Sequence, residues 1–100
     1  MQQAIDAELT VNEIQNQFEI HIDDHVAFIE FIQKGKKIWL THTEVPKSIE
    51  GDGVGSTLVN KVLHYIKKNH LILVPSCSFV AAFVNRHPEW SSILSEGYQM

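Results

Sequence analysis

The chain has 100 residues, 44% of them hydrophobic and 20% charged, with a formal net charge of −4. This suits one folded domain with a single modest core and excludes an intrinsically disordered chain. The negative balance speaks against a general nucleic-acid binder, whose phosphate contacts need an excess of Lys and Arg. The local run Lys34, Lys36, Lys37 reads as a solvated hairpin tip. A single cysteine excludes an internal disulfide framework and a multi-cysteine metal site. The opening MQQAIDAELT lacks the basic start and apolar stretch of a signal peptide, and no apolar run nears the ~18 residues of a membrane span. The expectation is a cytoplasmic protein that engages neither membrane nor nucleic acid.

In QFEIHI, residues 17–22, apolar Phe18, Ile20 and Ile22 alternate with polar neighbours, the period of a half-buried strand. Asp23-Asp24 suits a tight turn, and HVAFIEFIQK carries a second strand as far as the reversal at Gly35. KKIWLTHTEV is a third, stopped by Pro46, which has no N–H for a ladder. Three strands with short links form an antiparallel meander. The period then changes: apolar residues at 54, 58, 62 and 66, reinforced by 59, 63 and 65, predict a helix with one wide buried face. Lys67 and Lys68 suit the negative end of its dipole. LILVP reads as a short strand buried on both faces. A second helix is expected from about Ser78, with Phe79, Ala82, Phe83 and Arg86 at helical spacing, up to His87-Pro88. Ile93 and Leu94 add a last turn. The fold class is α+β in the order β-β-β-α-β-α, a mixed sheet with two helices packed on it, in a single domain over residues 1–100.

Two turns carry the chemistry. Gly51, Asp52, Gly53, Val54 and Gly55 lie between a strand and a helix, where bare backbone and unpaired helix N–H groups favour an anion. No lysine follows, so this is not a P-loop, and a meander before it is a poor setting for a dinucleotide fingerprint. Such glycines also simply shape loops and cap helices, and the turn alone leaves both readings open. The second turn, VPSCSF, places Cys77 at or near the N-cap of a helix, where the dipole and free N–H groups lower a thiol pKa. A small, inert core thiol is the competing reading.

Strand, Val45-Pro46, glycine turn and helix together resemble the acetyl-CoA motif of the GNAT N-acetyltransferase superfamily. Its Q/R-x-x-G-x-G/A pattern is met by Gly53 and Gly55, while Glu50 stands where the pattern has Gln or Arg. Glu50 and Asp52 are unfavourable beside a diphosphate unless their side chains point away. VPSCSF followed by FVNRHPEW is similar to a small single-domain branch of the superfamily, the acetyltransferase-CG type, with one cysteine after the fifth strand. The resemblance runs from about Phe18 to Trp90 and is weakest over residues 1–15.

The resemblance implies a minimal GNAT-like fold that binds acetyl-CoA as co-substrate, without a metal, and transfers acetyl to an amine of a protein side chain or small molecule. It implies that the backbone around Val45 bonds to the pantetheine arm. Turn amides from Gly51 to Gly55, through Asp52, Gly53 and Val54, with Ser56 and Thr57 behind, would meet the diphosphate. The thioester would reach Pro75 to Ser78. Larger relatives carry an Asn and a Tyr on the following helix, the Tyr acting as general acid; alignment on Ala81 puts Ser78 and Asn85 there, so that acid is absent. Beside a thioester, Cys77 would accept acetyl or protonate the departing CoA thiolate. His42 and Glu44, two apart on one strand face near the same point, are the candidate bases. The six histidines offer no metal site by spacing, since His21-x3-His25 spans a turn. Only Asp23-Asp24 and His25 separate the first two strands, so the helical wall of larger relatives is missing and the acceptor groove is open. An uncovered sheet face leaves room for an oligomer. The alternatives are a non-catalytic acyl-CoA-binding or sensing module, suggested by the missing Tyr and acidic turn, and an interaction domain that keeps only the fold.

Overall fold

The structure is a computed structural model that describes residues 3–51 and 53–95. A meander of β1 (Thr10–Asn12), β2 (Gln17–Ile22), β3 (His25–Lys34) and β4 (Lys37–Glu44) leads through α1 (Val54–Lys68) to β5 (Ile72–Pro75) and α2 (Ser78–Arg86). Short 3₁₀ turns lie at Ala4–Asp6, Lys47–Ile49 and Pro88–Ile93. The sheet order is β1-β2-β3-β4-β5, antiparallel up to β4, with β5 added parallel to β4. β1 is additional to the strands read from the sequence. It has only three residues and a single apolar one, too few to show a period, and it exists by pairing Val11 with Phe18.

The predicted alternation places Phe18, Ile20 and Ile22 of β2 on one sheet face, with Ala27, Ile29 and Phe31 of β3, Ile38 and Leu40 of β4, and Leu73 of β5, all buried. Leu58, Val59, Val62, Leu63 and Ile66 of α1 and Val80, Phe83 and Val84 of α2 close over that face in one cluster. Each such side chain contributes roughly 1.5–3 kcal/mol by leaving water. The 3₁₀ turn Pro88–Ile93 joins the same layer: Trp90 is buried and meets the otherwise exposed His64 ring edge-on at 4.8 Å. α1 ends as a Schellman turn, with Leu71 N–H bonded to Ile66 O at 2.9 Å, His70 N–H to Lys67 O at 3.1 Å, and His70 left-handed at φ 56°.

The opposite sheet face carries no helix among the described residues. Glu30, Ile32, His42, Glu44 and Ile72 are exposed on it. This corrects the expectation that LILVP is buried on both faces: Leu73 and Pro75 are buried, Val74 is half-buried and Ile72 is exposed. A continuous apolar run implies two covered faces only if a second layer exists.

Glu19 is the buried charged residue of this open face, 7% exposed. Its carboxylate accepts from Asn12 Nδ2 at 2.9 Å and Gln17 Nε2 at 2.6 Å, and lies 2.9 Å from His21 Nε2. Burial pushes its pKa up, but these hydrogen bonds and the charge of His21 outweigh it and hold the carboxyl below its ordinary value. A depressed folded-state pKa contributes stability that is fully present above the unfolded value and lost as pH falls through the folded one. Unfolding followed as a function of pH should therefore show a shallower acid slope for Glu19→Gln than for the unaltered protein below ~4.3, the ordinary glutamate pKa. Parallel slopes would mean that the network does not favour the ionised form.

Candidate active site

The β4–β5 ladder runs from Lys37 opposite Ile72 to Leu40 opposite Pro75 and stops there. Two local events end it. Phe31 pairs with Leu40 but Glu30 with His42, so Thr41 is an inserted residue, a bulge whose hydroxyl donates to Glu30 O at 3.2 Å. After Pro75 the chain turns away, and Cys77 N–H takes the Leu40 carbonyl at 2.8 Å. From Thr41 to Glu44, β4 has no partner in the β5 register, and the Thr43 amide turns to the Cys77 sulfur across the gap between β4 and α2.

The bulge also resets the alternation. Thr43 pairs with the buried Ile29 and so lies on the helix side, whereas His42 and Glu44 pair with Glu30 and Phe28 on the open side. Thr43 Oγ1 lies 3.4 Å from Cys77 Sγ. Cys77, half-buried, is the N-cap of α2 with extended backbone, φ −83° and ψ 130°. Its side chain closes no capping hydrogen bond, yet the amides of Val80 and Phe79 lie close enough to favour a thiolate. Burial raises the thiol pKa; the Thr43 hydroxyl, these two amides and the Thr43 amide outweigh it, and the net effect is a pKa below that of an ordinary cysteine. The opposing contributions agree with a group at the rim of the core and not within it.

Beside this point a cleft of about 480 Å³ opens between the β4 edge and the start of α1. Thr43, Glu44 and Val45 form one side, Gly51, Gly53, Val54, Gly55 and Ser56 the other, with Glu50 and Phe79 at its borders. Its glycines differ in kind. Gly51 at φ 96° and Gly53 at φ 72° occupy the left-handed region, and a Cβ at either would meet nothing within 4 Å. Glycine is required there by the backbone, and open space lies in front of it. Gly53 is the N-cap of α1, so the N–H groups of the first turn have no helical partner. Gly55, by contrast, lies inside the helix, and a Cβ there would meet the Phe79 ring at 2.8 Å. Val54 belongs to the core cluster and also lines the cleft.

A second hollow of about 440 Å³ shares Ser56 with the cleft and carries Thr57, Asn60, Lys61, Arg86 and His87 between α1 and α2. The pair is polar in opposite senses: Glu44 and Glu50 border the cleft, Lys61 and Arg86 the neighbouring hollow. Ser78 and Asn85 are exposed on α2 and line neither space. Asp52 lies outside the described residues. His42 Nε2 sits 3.1 Å from Glu44 Oε1, both side chains more than half exposed; Glu44 lines the cleft and His42 does not. Among the described residues no group of three or more His, Cys, Asp or Glu is placed to hold a metal ion, and no helix is long and apolar enough to cross a membrane.

The model of the GCN5-related N-acetyl-transferase family matches residues 17–93, which span the meander, the glycine turn, Cys77 and the HPEW run. The chain belongs to this family. A solved structure agrees: the NMR solution structure of a "GCN5-like putative N-acetyltransferase" from Staphylococcus aureus is 25% identical, with a TM-score of 0.67 over 93% of this chain and 95% of that one. β1 falls outside the residues that the family model matches. Within this N-acetyltransferase scaffold, two residues of the site escape a reading of the sequence. Thr43 hides between two polar neighbours whose face it does not share, because an unpaired Thr41 cannot be seen without the pairing. Phe79 reads as helix core by spacing, yet its side chain lies at the cleft and is 40% exposed.

The thiol geometry has a direct measurement. The pH profile of Cys77 alkylation by iodoacetamide should have its midpoint below the ~8.5 of free cysteine. Thr43→Val should move it upward and Thr43→Ser should largely restore it. A profile indifferent to Thr43→Val would mean that the hydroxyl contributes nothing to the thiolate.

Proposed function

We propose that the cleft binds acetyl-CoA and that the protein transfers its acetyl group to an amine, with Cys77 as the group that meets the thioester. The observation that carries this reading is one continuous path: the glycine turn at the start of α1, then the unpaired β4 edge, then Thr43 in contact with Cys77. A diphosphate at Gly51, Gly53 and the first-turn amides of α1 would be stabilised by unpaired N–H donors and the helix dipole. The Thr43–Val45 backbone offers an edge that the amides of a pantetheine arm can extend as a strand would. Lys61 and Arg86 in the adjoining hollow supply the positive charge that the acidic cleft lacks, suiting the coenzyme's remaining phosphate.

In the covalent route the Cys77 thiolate attacks the thioester carbonyl, CoA leaves as its thiolate, and acetyl is held on sulfur. The acceptor amine then attacks that carbonyl, Cys77 departs as thiolate, and the amine's proton passes to a base. Glu44, which lines the cleft and is hydrogen-bonded to His42, is the candidate for that role. The second route keeps the same pair. The amine attacks acetyl-CoA directly, Glu44 or His42 takes its proton, and the Cys77 thiol protonates the leaving CoA thiolate. What favours the covalent route is the cluster of donors around Cys77, which stabilises the anionic sulfur that a nucleophile needs. The acceptor would approach over the helix-free sheet face, an open surface that suits a side chain of another protein as well as a small amine.

Acetyl-CoA should leave a hydroxylamine-sensitive acetyl group on Cys77, detected by intact mass and peptide mapping. Cys77→Ala should bind the coenzyme nearly normally in calorimetry and lose transfer, and Glu44→Gln should slow turnover on the order of a hundredfold. Full transfer by Cys77→Ala would overturn the covalent route in favour of direct attack. Binding with no transfer to protein or to a panel of amines would point to a sensing module, and no binding to a scaffold.

A further inference from the structure

Gly55 poses a problem that the phosphate-turn reading leaves unsolved. Gly51 and Gly53 have positive φ and face open space, as a backbone meant to lie close to a diphosphate should. Gly55 is not among the positive-φ residues; it is the second residue of α1, where glycine weakens a helix relative to alanine. Its neighbourhood explains it. A Cβ at Gly55 would lie 2.8 Å from Phe79 Cζ and 3.2 Å from Cε2, while Val45 Cγ2, at 3.6 Å, would be an ordinary contact. The ring therefore rests on the bare backbone of α1 in a seat that a single methyl would fill. Phe79 comes from the first turn of α2, two residues after Cys77, and with Val45 across from it lines the cleft. Phe79 remains 40% exposed, an apolar residue that lines the cleft and stands outside the core cluster.

We propose that Phe79 is a coenzyme-binding residue, the apolar wall along which the pantetheine arm lies, and that Gly55 is glycine to seat its ring. This rests on the acetyl-CoA reading of the cleft and assigns the third glycine of the turn to aromatic packing, not to phosphate approach. The ring clamps the entrance of α2 to the entrance of α1 and so fixes the width of the gap that leads to Cys77. A methyl at Gly55 meets only the far end of a side chain that can rotate, so the fold absorbs it. The ring leaves its seat, bounded by α1 and Val45, and moves into the space the ligand needs.

A double-mutant cycle on acetyl-CoA binding tests this, with calorimetric titration of the unaltered protein, Gly55→Ala, Phe79→Ala and the double variant. Both single variants should bind more weakly, while in the absence of the ring the Gly55→Ala step should cost little. The coupling should be at least about twofold in affinity, the lower end for side chains in contact. In parallel, titration with adenosine 3′,5′-bisphosphate, which lacks the pantetheine arm, should show little effect of Phe79→Ala. Thermal unfolding of the same four proteins identifies any variant that fails to fold; Phe79→Leu then replaces Phe79→Ala. Equal weakening by Gly55→Ala with and without the Phe79 ring would overturn the proposal and return Gly55 to the phosphate site. Unchanged affinity in Gly55→Ala or in Phe79→Ala would overturn it as well. If the unaltered protein binds no acetyl-CoA, the reading of the cleft fails and this proposal with it, an outcome distinct from binding without coupling.

Discussion

The site depends on one interrupted ladder. Parallel pairing of β4 with β5 lasts for four residues and then yields to two competing demands on the backbone: the Thr41 bulge on one side, and the Cys77 amide on the Leu40 carbonyl on the other. Had the ladder continued, every second residue of Thr41 to Glu44 would have spent its N–H and C=O groups on β5, and the cleft would be closed by hydrogen bonds. Because it stops, the strand edge is open at the same level where α1 and α2 both begin. The two helix entrances thus lie at this gap, where the first-turn amides of α1 have no helical partner and those of Phe79 and Val80 in α2 address the Cys77 sulfur. A family that handles a long, flexible, polyanionic thioester needs that combination, since backbone donors bind such a ligand without requiring a particular set of side chains.

Polar groups around the gap are divided by the sheet. On the helix side, Thr43 and the amides of Phe79 and Val80 address the sulfur of Cys77, and burial opposes them without prevailing. On the open side, His42 and Glu44 form a hydrogen-bonded pair in contact with solvent. The bulge is what separates them. A regular strand would have carried His42 and Glu44 onto the face of Leu40 and buried them under α2, where an uncompensated charge is costly. The division gives the thiol a sheltered setting and leaves the His42–Glu44 pair in contact with solvent.

The short chain also explains the open face. Both helices and residues of all three 3₁₀ turns join one core cluster, and among the described residues no helix covers the other side. Glu19, fully hydrogen-bonded by Asn12, Gln17 and His21, shows how a polar network takes over the task of a missing layer near β1. Closer to the cleft, Glu30, His42 and Glu44 are exposed on this face and Phe28 is half-buried.

The sequence by itself determined the meander from Phe18 to Glu44, the long amphipathic α1 and the strand–turn–helix around Cys77, because each is written in a local period or a capping residue. The resemblance of the glycine turn and the VPSCSF run to one superfamily was equally legible, since both are contiguous. Of the residues it implied for the coenzyme, Val45, Gly51 and Gly53 to Ser56 line the cleft, as does the candidate base Glu44, whereas Thr57, Ser78 and Asn85 do not. Only the tertiary structure decided the rest. β1 has no period of its own and exists by pairing with β2. The solvent side of β5 depends on a layer that no pattern within β5 can announce. The partner of Cys77 is Thr43, 34 residues earlier, brought there by a bulge that is a property of two strands and not of one. Gly51 and Gly53 are glycine for their own backbone, but Gly55 is glycine because of a ring on another helix, and a contact of that kind has no local signature to read.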